Sequence, residues 1–349
     1  MNKVLEMFNV RQMLAYVRAR QPRQYVGELL FPSKTLDDID FKYFKGAQNL
    51  PVMAQVQTFD AEASIADRDG KSYVEGSLPP IKRKIRIGER ELIKLNAPRQ
   101  GSDEVNQAIQ AIYNDTDNMI EAVNARVEWM RMQALCTGLI SLNENGVVLT
   151  VDYGVPAGNK ETLTGTALWS ATATADPISD MLRWQQYLID TYGMAPARSL
   201  TSMKNLGYLL QNQKVRELVH GKATGTAVAP AITRQQLDQL LQASGLPPVV
   251  PYDVQVRSQA NDGTKTNVRL FPQNMFILMP DGKLGDTLYG PTAESLRMVS
   301  SGVITMAEAS GIIAEVYEQQ DPPGHWTKAA AIALPTFPWA EYVFQGTVA

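Results

Sequence analysis

Cys136, His220 and His325 hold nearly all the thiol and imidazole chemistry available to this chain, which has one cysteine and two histidines. A cysteine nucleophile needs a histidine to take its proton and a third group to orient that histidine. Neither histidine has an evident carboxylate partner, and Cys136 closes a helical stretch, where a small buried residue is the simpler reading. A single thiol also excludes an intrachain disulfide and a multi-thiolate metal site, as suits a reducing compartment. The phosphate-cradling loop fails as well. Gly70-Lys71-Ser72 supplies its second half, but Ile65 stands where the first glycine must be. Asp67 and Asp69-Gly70 imitate a calcium loop whose twelfth position would be Gly76, with no bidentate carboxylate. No Gly-x-Ser-x-Gly elbow occurs, and acid pairs such as Glu89/Glu91 and Asp37/Asp38 are ordinary surface features. No catalytic, cofactor-binding or metal-ligating residue is assigned, and no cofactor is expected. The chain reads as a non-enzyme.

The run Lys82-Arg83-Lys84-Ile85-Arg86 offers another chemistry. As a nucleic-acid strip it puts cations on one strand face but interleaves no aromatic for bases to stack on. Glu89 and Glu91 follow at once and cancel part of the field, so a charged face docking on acids of a neighbour is the better account. Composition agrees. Lys+Arg is 33 against Asp+Glu 36, a net charge of −3, whereas a phosphate-gripping protein carries a basic excess. With 44% hydrophobic and 20% charged residues among 349, the chain has ample material for a core. No stretch approaches the roughly 18 apolar residues of a membrane span, and the N-terminus lacks a secretory pattern. The chain reads as soluble and cytosolic, with no membrane partner.

The elements that would position these residues follow from spacing. Met7, Val10, Leu14 and Val17 recur at helical intervals, a short amphipathic arm. Residues 21–50, punctuated by Pro22, Pro32 and Gly46, read as an irregular extended arm. Val52, Ala54 and Val56 alternate, as do Ile81, Ile85 and Ile87, with Asp69-Gly70 between them. That predicts a long two-stranded hairpin too thin to bury both its faces, which must lie on something else. From Ser102 to Cys136 there is neither Gly nor Pro. Val105, Ile109, Ile112, Thr116, Met119, Val123, Val127, Met130 and Ala134 then form one stripe on a helix of about 50 Å, stopped at Gly138. The strand-like 146–151 that follows favours a helix lying across a sheet. Asp176-Pro177 opens a helix to Gly193, and shorter helices are expected at 201–211, 213–220 and from Thr233 to Gly245. Strands follow at 252–257, 266–271 and 274–279, and later near 312–317 and 329–334.

This order, with its local motifs, resembles the Hong Kong 97 phage-type capsid fold, and within it the lambda-like major capsid protein E family. The stretches that carry the resemblance are Ala66-Asp67-Arg68-Asp69-Gly70 through Pro79-Pro80-Ile81-Lys82, then Asn274 through Gly282. The most specific is Leu284-Gly285-Asp286-Thr287-Leu288-Tyr289-Gly290-Pro291-Thr292-Ala293-Glu294. The resemblance implies an α+β fold with an N-terminal arm (1–51) and an extended loop (52–92). It further implies a peripheral domain (93–169 and 292–349) with spine helix 102–136, and an axial domain (170–291). It implies a structural major capsid protein of a tailed double-stranded DNA bacteriophage. Such a chain forms homo-oligomeric hexameric and pentameric capsomers of an icosahedral head and encloses DNA without sequence-specific binding. Its expected place is the virion, after assembly in the host cytoplasm. A separate scaffold is implied, because the self-scaffolding segment that some relatives carry ahead of the arm is not recognised here, and a decoration protein and a portal are the other implied partners. Lys71 sits where cross-linking relatives place a lysine, but no cross-link is expected. The alternative is an encapsulin-like nanocompartment shell protein, which would enclose cargo protein instead of DNA.

Overall fold

The computed structural model describes residues 23–44, 73–90, 93, 103–144, 146–222, 229–260, 262–298, 305–309, 311–321 and 323–349. The expected long helix runs Asp103–Thr137. Met119, Val123, Val127, Met130 and Ala134 are buried as the stripe requires, and Ile120, Met132, Leu135 and Cys136 join them, so its C-terminal half is enclosed on more than one side. Gly138 takes φ 71° and ends it. A six-stranded sheet packs against this helix. At its centre, strand Gly324–Pro335 pairs with Ile312–Gln319 on one edge, and on the other with Pro80–Ile87 and then Thr287–Gly290. Ala329, Ala331 and Ala333 alternate along the central strand and are fully buried in the helix's core. Their lack of bulk lets helix and sheet approach closely.

The second sheet has the order Lys160–Thr162, Phe344–Thr347, Met275–Met279, Arg198–Thr201, Val249–Pro251. Its central strand separates two cores by the two-residue period of a strand. Ile277 and Met279 face the long helix's core, while Phe276 and Leu278 face a helical layer with Trp169, Trp184 and Phe344. That layer is built from helices Pro177–Tyr192, Met203–Gln211, Gln213–His220 and Arg234–Ala243. Their starts are where the caps put them. The Asp176 carboxylate accepts the Ser179 N–H, and Thr233 forms a capping box with Gln236. Hairpin Gln255–Gln259/Lys265–Arg269 turns at Gly263.

The arm differs from its reading as irregular chain. Helix Val26–Leu30 and strand Ser33–Thr35 pack into the body, the strand parallel to Thr287–Gly290. Tyr25, Leu30 and Phe31 lie in the main core, so prolines hid a segment whose apolar residues outweigh them. Strand Asp40–Phe44 pairs with Tyr73–Ser77, ordering residues expected at a hairpin tip. The expected strand at 52–57, Asp69-Gly70 and Lys71 lie outside the described residues, as do the N-terminal amphipathic stretch and Glu91. What is described of the expected loop joins the body: Pro80–Ile87 pairs along its whole length with Gly324–Pro335. Several strands went unread, among them the short Arg198–Thr201 and Val249–Pro251. At four and three residues they are too short to show alternation.

Candidate functional site

The residues weighed for catalysis stand in unrelated settings. Cys136 is buried, and burial pushes its thiol up, away from the reactive thiolate. His220 is exposed in the last turn of Gln213–His220, while His325 is buried in the central strand of the main sheet. Among the described residues no three His, Cys, Asp or Glu side chains cluster as metal ligands.

The charged groups instead form joints between segments distant in sequence. At the first, Glu128 on the long helix is fully buried. Its Oε1 accepts the Gly27 N–H at 2.9 Å and the Tyr252 hydroxyl at 2.8 Å, and its Oε2 lies 3.4 Å from Arg131. Burial pushes the Glu128 carboxyl up, against the pull of Tyr252, Arg131 and Gly27. The Arg131 Nε donates to Thr287 Oγ1 at 2.8 Å, and that hydroxyl donates to the Phe31 carbonyl. Arm, helix, residue 252 and strand Thr287–Gly290 therefore meet on one ion pair.

The second joint holds the base of the expected loop. Glu294, 4% exposed, accepts from Lys328 at 2.5 Å and Lys82 at 2.9 Å through Oε1, and Glu315 lies 3.7 Å from Lys328. Burial alone would raise the Glu294 carboxyl, but the two lysines outweigh it and hold it down at about 2, from an ordinary 4.5. A depressed carboxylate contributes stability that is present above its unfolded value and lost as pH falls towards the folded one. Protection of the Pro80–Ile87 amides from hydrogen exchange is therefore expected to fall between pH 4.5 and about 2. Glu294→Gln should show the same loss at neutral pH. Met275–Met279, away from the joint, should hold its protection in the variant. Equal protection of Pro80–Ile87 in both chains at neutral pH would show that backbone pairing alone holds it.

Beyond Lys82 the cationic run is exposed. Lys84 lies 4.3 Å and Arg86 5.8 Å from the centre of the Trp326 ring, and Arg83 donates to the Gln259 side chain at 2.9 Å. The aromatic missing from the run itself arrives from the neighbouring strand, where Trp326 stands opposite Arg86.

Residues 9–348 match the family model of phage major capsid protein E. The chain belongs to this family. No curated protein matches it. Among solved structures it is similar to a prophage protein of Escherichia coli CFT073 assigned as a capsid protein, with TM-score 0.63 and 16% identity over 98% of this chain and 99% of that one. A phage-related protein of Bordetella bronchiseptica RB50 aligns at TM-score 0.54 and 13% identity over 96% of each chain. The capsid of cyanophage A-1(L) aligns at 0.51 and 12%, over 93% of this chain and 91% of that one. At such identities the structures speak for the fold, an α+β phage capsid fold of Hong Kong 97 type. The major capsid protein is a structural subunit that assembles with copies of itself into a phage head, and its place is the virion. Nothing in these matches favours a nanocompartment shell.

In this capsid protein the signature stretch has physical work at both joints, through Thr287 in the first and Glu294 in the second. Glu128, Tyr25, Tyr252 and Trp326 were missed in the sequence. For Glu128 a signal existed: Glu128 and Arg131 are spaced i, i+3 directly beside the buried Val127 and Met130.

Proposed function

We propose that this major capsid protein forms hexameric and pentameric capsomers that tile an icosahedral head around the double-stranded DNA of a tailed phage. Assembly takes place in the host cytoplasm with a separate scaffold, and a decoration protein and a portal complete the shell. The chain divides into arm (1–51), extended loop (52–92), peripheral domain (93–169 and 292–349) and axial domain (170–291), and it catalyses no reaction. The observation that supports this best is strand Pro80–Ile87. It is hydrogen-bonded to the body along its length, yet six of its eight residues stay exposed, three of them uninterrupted cations from Lys82 to Lys84. A charged strand held rigidly in the open suits a surface completed by a neighbour. Near-neutral charge suits a wall that encloses DNA without gripping it, since each neutralised phosphate would add salt-sensitive affinity.

Sedimentation velocity with negative-stain imaging, with and without the scaffold protein, tests this reading. Closed shells, or capsomers of six times the 38.5 kDa chain, are expected. A monodisperse 38.5 kDa species under both conditions at high concentration would overturn it.

A further inference from the structure

Beside the base of strand Pro80–Ile87 lies an open groove of about 560 Å³. Its floor is apolar, with Trp129 and Met130 of the long helix, Leu142, and Val256 and Val268 of the hairpin. Its rim is cationic. Arg83 stands on one wall and Arg257 on the other. Arg126 is neutralised by Glu144 at 2.9 Å, but Arg83 binds only the neutral Gln259 side chain, and Arg257 has no carboxylate partner among the described residues.

The same chain carries the complementary shape. Residues 37–40 form an acidic turn in which Asp37, Asp38 and Asp40 are exposed and make no ion pair among the described residues. At its tip Ile39 is 43% exposed, an uncovered large aliphatic side chain among three charges. The turn is prefixed for contact. The Leu36 N–H donates to the Tyr289 carbonyl at 2.7 Å, the Leu78 N–H donates to the Ile39 carbonyl at 2.9 Å, and Asp38 Oδ1 accepts the Ile39 N–H at 2.7 Å. Little conformational freedom remains to be lost on binding.

We propose that the groove between strand Pro80–Ile87 and hairpin Gln255–Arg269 receives the acidic turn 37–40 of a second copy of this chain. Ile39 enters the apolar floor, and the flanking aspartates meet Arg83 and Arg257. Knob and socket are different surfaces, so the contact is heterologous and propagates from copy to copy, closing a ring where the rotation allows. The inference rests on the proposed capsomer assembly and specifies one of its contacts.

Two single-cysteine additions test it. Chains carrying Ile39→Cys and chains carrying Ser258→Cys, the latter on the groove wall, are mixed, co-assembled and oxidised gently. The native Cys136 is buried and stays out of the reaction. A disulfide-linked heterodimer on a non-reducing gel is expected, in several-fold excess over either homodimer, and an intrachain bond is impossible in this mixture. Shells that form normally with no heterodimer would overturn the contact while leaving assembly intact, whereas failure of unmodified chains to assemble would strike the function reading instead. If either cysteine chain does not assemble, Arg257→Glu and Asp38→Arg read the same contact by charge. Each alone should cut assembly about tenfold and both together should restore it; absence of restoration would also overturn the proposal.

Discussion

Glu128→Ala is expected to destabilise the capsid protein by about 3–5 kcal/mol, the range for breaking a buried ion pair from one side. The cost exceeds that of one contact because three donors lose their acceptor together. Arg131, whose side chain is 5% exposed, would keep its charge with Thr287 as its remaining hydrogen-bond partner among the described residues. The Tyr252 hydroxyl and the Gly27 N–H would also lose the oxygen they share, and an orphaned buried donor costs about 1–3 kcal/mol. The unfolding midpoint of the purified chain in urea measures this, with hydrogen exchange over residues 25–31 reporting whether the arm loosens first. The double variant Glu128→Leu with Arg131→Met should regain much of the loss, since removing both charges also removes their desolvation penalty. If Glu128→Ala leaves the midpoint unchanged, water reaches the joint and the pair holds nothing.

That joint also marks where reading the sequence stops. The long helix was legible because its apolar residues repeat over 35 positions, and the helical layer because Asp176, Thr233 and Gly193 are local caps. The capsid fold came through resemblance, on the stretch from Leu284 to Glu294, and the family match bears it out. What stayed hidden is what depends on distant partners. Tyr25 and Phe31 looked like punctuated arm because their packing surface is supplied by the helix and by Thr287. Trp326 could not be placed beside Lys84 and Arg86 without the register that pairs their strands. Glu294 and Glu315 are ordinary acids in one dimension and become a joint only when Lys82 and Lys328 converge on them.

The glycines of the Leu284–Glu294 stretch and its approach should separate by mechanism, and Gly285→Ala is expected to be the most damaging of them. A β-carbon at 285 would run into the Thr336 carbonyl oxygen, with the carbonyl carbon only 2.8 Å away. That obstacle is backbone, and it is pinned. The Thr336 N–H donates to the Asp286 carbonyl at 2.7 Å, and the Thr336 hydroxyl accepts the Asp286 N–H at 2.9 Å. On its other side the Leu284 N–H donates to the Leu30 carbonyl at 2.8 Å, so the segment is threaded between arm and C-terminal segment with no room to yield. A cost of about 3 kcal/mol, the upper end for an overpacked core, is expected for this variant. Gly290→Ala should be milder, because its nearest neighbour at 3.0 Å is the Leu78 Cδ1, the end of a side chain, and the backbone it meets, the Asp38 carbonyl oxygen, stands off at 3.2 Å. Gly282→Ala faces open space but sits at φ 79°, so only left-handed strain of about 1–2 kcal/mol applies. Unfolding midpoints of the three variants should therefore rank Gly285 lowest. If Gly282→Ala proves as harmful as Gly285→Ala, backbone conformation rather than close approach is what the stretch demands, and the threading account fails.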